Sequence, residues 1–177
     1  MKPPVPIVII GFMACGKTEV ARVVANELNV KMLDLDEEIT SFQGRSPAQL
    51  IREEGERSFR NIETAELQRL LERNETDVIA LGGGAWIQPA NRELLAANNA
   101  IIVWLDTPFE ICWTRIQGAK EDRPLSTTRE QASELFKQRY PIYELASIRV
   151  DVTAADTPAE TAARVLDRLG HHAQEPQ

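Results

Sequence analysis

The alternation of short apolar runs with helical patterns predicts a three-layer αβα domain on a five-stranded parallel sheet. Two further observations support this fold class. A glycine-rich stretch joins the first apolar run to the first helical pattern, the strand-to-helix context of a phosphate-binding loop. The chain has 177 residues, with no internal repeat and no interdomain linker, which suits one domain with a substantial core.

Residues 6–10 read as the first strand, rich in β-branched side chains. A helix follows to about residue 29, with Val20, Val23, Val24 and Leu28 at helical spacing. Residues 31–36 read as a second strand ending in two carboxylates, Asp34 and Asp36. Ser46-Pro47 is a cap followed by proline at the first helical position, opening a helix that reaches about Gly55. Another helix covers about 56–73, with Ile62, Leu67, Leu70 and Leu71 near its apolar side. Residues 78–81 form a third strand, stopped by Gly82-Gly83-Gly84. A short helix after Pro89 leads to a strand over 100–105, and Thr107-Pro108 opens a helix to about Gln117. Residues 118–128 are charged and punctuated by Gly118 and Pro124, so they read as a mobile loop. A helix over about 129–140 presents Ala132, Leu135, Phe136 and Tyr140 to the core, and residues 148–152 are the last strand. The final helix begins after Thr157-Pro158, places Ala162, Val165, Leu166 and Leu169 on one face, and ends at Gly170. Residues 171–177 read as a polar, frayed tail, whose His171 and His172 lack further ligands and are read as solvated.

The stretch Gly11-Phe12-Met13-Ala14-Cys15-Gly16-Lys17-Thr18 carries the chemistry. Small residues let backbone N–H groups converge on phosphate oxygens, and the following helix adds its unpaired N–H groups and positive dipole end. Lys17 can reach terminal phosphates, and the Thr18 hydroxyl can ligate Mg²⁺. In a doubly covered parallel sheet, ligands bind beyond the C-terminal strand ends. That rule gathers the loop, Asp34, Asp36 and the triple glycine into one crevice. If Asp34 and Asp36 are both extended, they face the same side. The three glycines allow close approach to the backbone and offer N–H donors. Arg60, Arg115, Arg123 and Arg139 are candidates for forked recognition of carboxylate or phosphate, though spacing alone does not show that Arg60 and Arg139 meet.

Composition narrows the function. The formal net charge is −7, with 43% hydrophobic and 27% charged residues, which argues against general nucleic-acid or membrane-surface binding. Two cysteines, Cys15 and Cys112, lack metal-ligand spacing and read as reduced thiols, Cys15 as a small residue tolerated in the loop. No apolar run approaches ~18 residues, and the first strand begins at once, leaving no room for a signal peptide; the expected location is the cytoplasm.

The chain resembles the shikimate kinases, P-loop proteins similar to nucleoside monophosphate kinases. The resemblance runs from about Ile7 to Leu169 and rests on GFMACGKT at 11–18, DLD at 34–36, GERSFR at 55–60, GGGA at 82–85, DRPL at 122–125 and RYPIYE at 139–144. It implies strand order 2-3-1-4-5, one kinase domain over 1–170, a substrate-binding region at about 35–62, a mobile lid at about 118–128, and a monomer. It also implies ATP-dependent phosphorylation of the 3-hydroxyl of shikimate. On that pattern Asp36 contacts the reacting hydroxyls and is the candidate base, and Arg60, Arg139 and the Gly82, Gly83 and Gly84 backbone hold the substrate. Ala14, Cys15, Gly16, Lys17, Thr18 and Glu19 line the nucleotide, Arg115 packs on adenine, Arg123 reaches the phosphates from the lid, and Thr18 and Asp34 serve Mg²⁺. The family usually has glycine at position 14; Ala14 is unstrained only if its φ is negative. A related small-molecule kinase, such as a gluconate kinase, is the nearest alternative. A nucleotide-binding regulator without catalysis is another, and a nucleic-acid-binding NTPase is disfavoured by the charge.

Overall fold

Strand β1 (Ile7–Ile10) is the middle strand of the sheet and is buried along its whole length. The computed structural model describes residues 5–73, 78–118 and 128–172. Around β1, the strands β2 (Met32–Asp34), β3 (Val78–Ala80), β4 (Ile101–Asp106) and β5 (Ile148–Asp151) complete a five-stranded sheet in the order β2-β3-β1-β4-β5. All pairings are parallel. Both the fold class and the strand order expected from the sequence are therefore found.

The helices are α1 (Lys17–Leu28), α2 (Leu35–Gln43), α3 (Pro47–Glu54), α4 (Glu56–Arg73), α5 (Pro89–Ala97), α6 (Phe109–Gly118), α7 (Arg129–Tyr143) and α8 (Pro158–His172). Helix α1 packs against α8 and the sheet, while α2 and α3 pack against α4. Strand register sets the position of the site. Ile9 pairs with Ala80 on one side and Val103 on the other, and Ala80 pairs with Asp34. The chain leaves β1, β2 and β3 at nearly the same level, so the phosphate loop, Asp34 and the glycine turn emerge side by side.

Several elements depart from the pattern expected. Residues 35 and 36, expected to end the second strand, instead open a helix over 35–43. The Asp34 side chain caps this helix by accepting from Asp36 and Glu37 N–H, so the chain turns at Asp34 and Asp36 is helical. The two carboxylates thus do not share a strand face. Helix α7 continues through Pro141 to Tyr143, and α8 continues through Gly170 to His172. An added Cβ at Gly170 would meet nothing within 4 Å, so this glycine is a surface position that does not break the helix. The expected lid, with Arg123, lies outside the described residues apart from its two edges, as does the end of the tail. Trp86 and Trp104 are buried, as packing residues should be.

The phosphate loop contains one strained residue. Ala14 has φ 60°, a left-handed backbone, and Gly16 has φ 99°. That conformation costs a residue with a Cβ about 1–2 kcal/mol. Glycine's greater freedom in the unfolded chain takes back about 0.4–1 kcal/mol. Ala14→Gly is therefore expected to stabilise the protein by roughly 0.5–1 kcal/mol in urea unfolding. An unchanged or lower midpoint would show that Ala14 is not strained.

Candidate active site

The phosphate loop wraps the start of α1. Gly16 stands at the N-cap without a side-chain cap, so the first N–H groups of α1 are left to a ligand. An added Cβ at Gly11 would sit 2.7 Å from Cys15 Sγ and 2.9 Å from the Leu105 carbonyl, so the loop closes only around glycine. Lys17 Nζ donates to the Phe12 carbonyl at 2.9 Å, folded back over its own loop. Arg115 Nη1 donates to the carbonyls of Ala14 and Cys15, at 3.3 and 3.1 Å, from helix α6. Cys15 and Cys112 are both buried free thiols, and burial pushes Cys112 up to about 12, so it is a packing residue.

Beside the loop, the Thr18 hydroxyl donates to Asp34 Oδ2 at 2.5 Å. Asp34 Oδ1 accepts from Asp36 N–H at 3.0 Å and Glu37 N–H at 3.4 Å. Both carboxylate oxygens are engaged, and the Thr18 oxygen keeps its lone pairs. Among the described residues no group of three or more His, Cys, Asp or Glu side chains could hold a metal by itself. The pair therefore suits a hard cation that arrives with phosphates and keeps part of its water shell.

The triple glycine also leaves room for the protein's own groups. An added Cβ at Gly82 would lie 2.7 Å from Asp36 Oδ1, and one at Gly84 would overlap the Arg60 guanidinium. At Gly83 it would lie 3.2 Å from Met13 N, in the phosphate loop. The glycines make room for an acid, an arginine and a second backbone segment of this protein. Arg139 Nη1 donates to the Gly83 carbonyl at 3.1 Å. Asp36, Arg60 and Arg139, distant in sequence, thus meet at one turn. A cleft of about 580 Å³ runs from Asp36, Gly82 and Gly83 along the loop to Arg115, Asp156 and Pro158. Glu19 lines it as well, at an exposed position. At the far end Asp156 accepts from Thr153 N–H at 2.6 Å and from both arms of Arg164, which holds its carboxyl well below the usual range.

Glu63 was not singled out from the sequence. Glu63 is 1% exposed and takes two hydrogen bonds from Arg60 Nη1, at 3.0 and 2.9 Å. The signal was the i,i+3 spacing from Arg60 on a helix, with Glu63 at the buried face beside Ile62 and Leu67. Burial raises Glu63 from 4.5 to about 7, against the pull of Arg60; Asp36 raises it further and Arg139 lowers it. Arg60 also pairs with Glu56, yet its Nε is buried without a partner. Burial, chiefly, brings Arg139 below its ordinary value.

A parallel sheet in this order, with a phosphate loop after its middle strand and Arg60 and Arg139 at the neighbouring glycine turn, is the arrangement of a P-loop nucleotide-binding protein of the small-molecule kinase type. Comparison with known proteins gives the particular group. The family model described as shikimate kinase matches residues 13–170, and the chain belongs to the shikimate kinase family. A shikimate kinase of Persephonella marina is 33% identical over 163 residues, covering 92% of this chain and 98% of that protein. One from Streptococcus gordonii is 37% identical over 158 residues, covering 88% and 94%. The solved structure of shikimate kinase from Acinetobacter baumannii in complex with shikimate superposes with a TM-score of 0.89, at 32% identity, over 98% of this chain and 97% of that one.

The Glu63 carboxyl makes a pH prediction. An acid whose pKa is raised on folding gives stability that is fully present below its unfolded value and lost as pH rises through the folded one. The window is therefore pH 4.5 to about 7. Glu63→Gln should remove this component, so the variant's stability relative to wild type should rise across that window in urea unfolding. Parallel stability curves would show that Glu63 does not titrate there.

Proposed function

We propose that this chain transfers the γ-phosphoryl group of ATP to the 3-hydroxyl of shikimate, giving shikimate 3-phosphate on the route to aromatic amino acids. The observation that carries the substrate side is Arg60: half-buried, held by Glu63 and Glu56, with a buried Nε that has no partner among the described residues. An unpaired buried donor is costly, and an anionic oxygen is the natural partner. Arg60 and Arg139 together match the carboxylate of shikimate, with Gly82, Gly83 and Gly84 closing the pocket.

Asp36 orients the reacting hydroxyl and accepts its proton as the oxygen attacks phosphorus and the bond to ADP breaks. Lys17 leaves the Phe12 carbonyl to follow the phosphoryl group. Residues Ala14 to Glu19 line the phosphates, Arg115 covers the base, and Arg123 adds charge from the lid. Thr18 directly, and Asp34 through water, would hold Mg²⁺, which when bound neutralises phosphate charge. The proposed catalyst is a monomer of the cytoplasm, using neither nucleic acid nor membrane. Among the described residues no helix is long and apolar enough to cross a bilayer.

The nearest alternative, a gluconate kinase, shares the logic of two arginines and one carboxylate. Family membership favours shikimate. Steady-state turnover with MgATP and shikimate, gluconate or a nucleoside monophosphate decides the matter. The expected result is turnover of shikimate alone; nucleotide binding without any phosphorylated product would instead fit a regulator.

Two variants test the roles. Lys17→Met and Asp36→Asn should each lower kcat by ~10²-fold or more while shikimate still binds by calorimetry. Near wild-type turnover in either would remove that residue from the mechanism. Gly82→Ala should displace the Asp36 carboxylate and lower kcat ~10–100-fold, since small misplacements are costly in rate. ATP affinity should stay within about twofold, because the phosphate loop is untouched.

A further inference from the structure

Tyr143 is 1% exposed and sits at the end of α7. Its hydroxyl donates to the Gly83 carbonyl at 2.6 Å, across 60 residues of sequence. The same carbonyl accepts from Arg139, one turn earlier on the same helix, at 3.1 Å. The ring is stacked on Trp104, with centroids 6.1 Å apart and planes at 22°. Next to it, Trp86 Nε1 donates to the Ile142 carbonyl at 2.8 Å. The glycine turn and the end of α7 are thus joined by three side-chain hydrogen bonds, and Tyr143 is fixed from two further sides.

That arrangement determines the orientation of one peptide. In a trans peptide the carbonyl of Gly83 and the N–H of Gly84 point in opposite directions. With the carbonyl turned to α7, the Gly84 N–H is turned away from it. Among the described residues nothing accepts from this N–H. Gly84 itself lies against the Arg60 guanidinium. An anionic oxygen drawn to Arg60 is therefore within the neighbourhood of a backbone donor with no other partner. Burial pushes the Tyr143 hydroxyl above its ordinary value, so it remains a donor throughout the working pH range.

We infer that Tyr143 is a positioning residue for the acceptor, acting through the Gly83–Gly84 peptide, whose N–H it presents to the carboxylate end of the substrate. By taking one lone pair of the Gly83 carbonyl, Tyr143 fixes the peptide plane independently of Arg139. Arg139 keeps its remaining N–H groups for the same ligand. The inference rests on shikimate being the acceptor, and its test separates the two.

The test compares wild type with Tyr143→Phe, which keeps the ring and leaves Arg139 on the carbonyl. Wild-type turnover of shikimate comes first; its absence would defeat the proposed function. With turnover present, Tyr143→Phe should raise KM for shikimate about 3–10-fold, with KM for ATP within about twofold. In ¹⁵N–¹H spectra of the full chain, adding shikimate should shift the Gly84 amide and slow its exchange in wild type, and do so much less at the same occupancy in the variant. Tyr143→Phe with Arg139→Lys should lose less than the product of the single losses in kcat/KM, because both act on one carbonyl. Unchanged KM for shikimate, equal changes in both KM values, or a Gly84 amide indifferent to shikimate in wild type would each overturn the inference. A purely structural role for Tyr143 would lower thermal stability and move neither the KM ratio nor the amide.

Discussion

The carboxylate of Asp34 joins the two halves of the site. One oxygen accepts the Thr18 hydroxyl, at the start of the helix behind the phosphate loop. The other caps α2 through Asp36 and Glu37 N–H. A single group at the end of β2 therefore sets the phosphate loop and the start of α2 in one geometry. Because a capping carboxylate ends the strand at Asp34, Asp36 is placed one step into α2 and turned toward Gly82. Had the strand continued, Asp36 would have pointed with Asp34. The different surroundings of the two carboxylates follow from this turn.

The acceptor side is a problem in crowding and charge. Asp36, Arg60 and the phosphate-loop backbone all converge on three consecutive residues, each drawn close by the missing Cβ. Such a cluster holds together only if its charges are matched within a dry environment. Arg60 is offset by Glu63 and Glu56, and Arg139 by the dipole of the Gly83 carbonyl. Burying Glu63 is unfavourable for the ionised carboxyl, which is why its pKa climbs to about 7. The result is an arginine held by two carboxylates, with one buried donor left without a partner among the described residues.

Much of the sheet was legible because its strands are short apolar runs that end in glycine or a carboxylate. Helix α2 was not, since over 35–43 only Leu35 and Ile39 are buried and the rest is polar apart from the exposed Phe42. A cap read as a strand end hid it. Gly170 and Pro141 look like stops, yet the first has open space around it and the second lies where α7 is tied by its side chains to the glycine turn. In the site, Lys17, Thr18, Asp36 and the glycines could be singled out by type and spacing. The meeting of Arg60 with Arg139 at one turn could not, because it depends on how α4 and α7 pack. Glu63 and Tyr143 were hidden for the same reason: each acts through a partner that only tertiary structure supplies.

The phosphate loop shows how a departure from the family pattern is absorbed. Ala14 takes a left-handed backbone that glycine would adopt without cost. The loop is nonetheless held from three directions: Cys15 N–H bonds the Phe12 carbonyl at 3.2 Å, Arg115 takes the Ala14 and Cys15 carbonyls, and Gly83 packs against Met13 N. Strain at a functional position persists when its surroundings determine the conformation. Here the restraints include Arg115, the residue expected to cover the base. A bound base would draw Arg115 toward itself and away from those carbonyls, whereas bound phosphate would engage the loop N–H groups and hold the backbone in its place. If Arg115 covers the base as proposed, nucleotide binding exchanges one restraint on Ala14 for another.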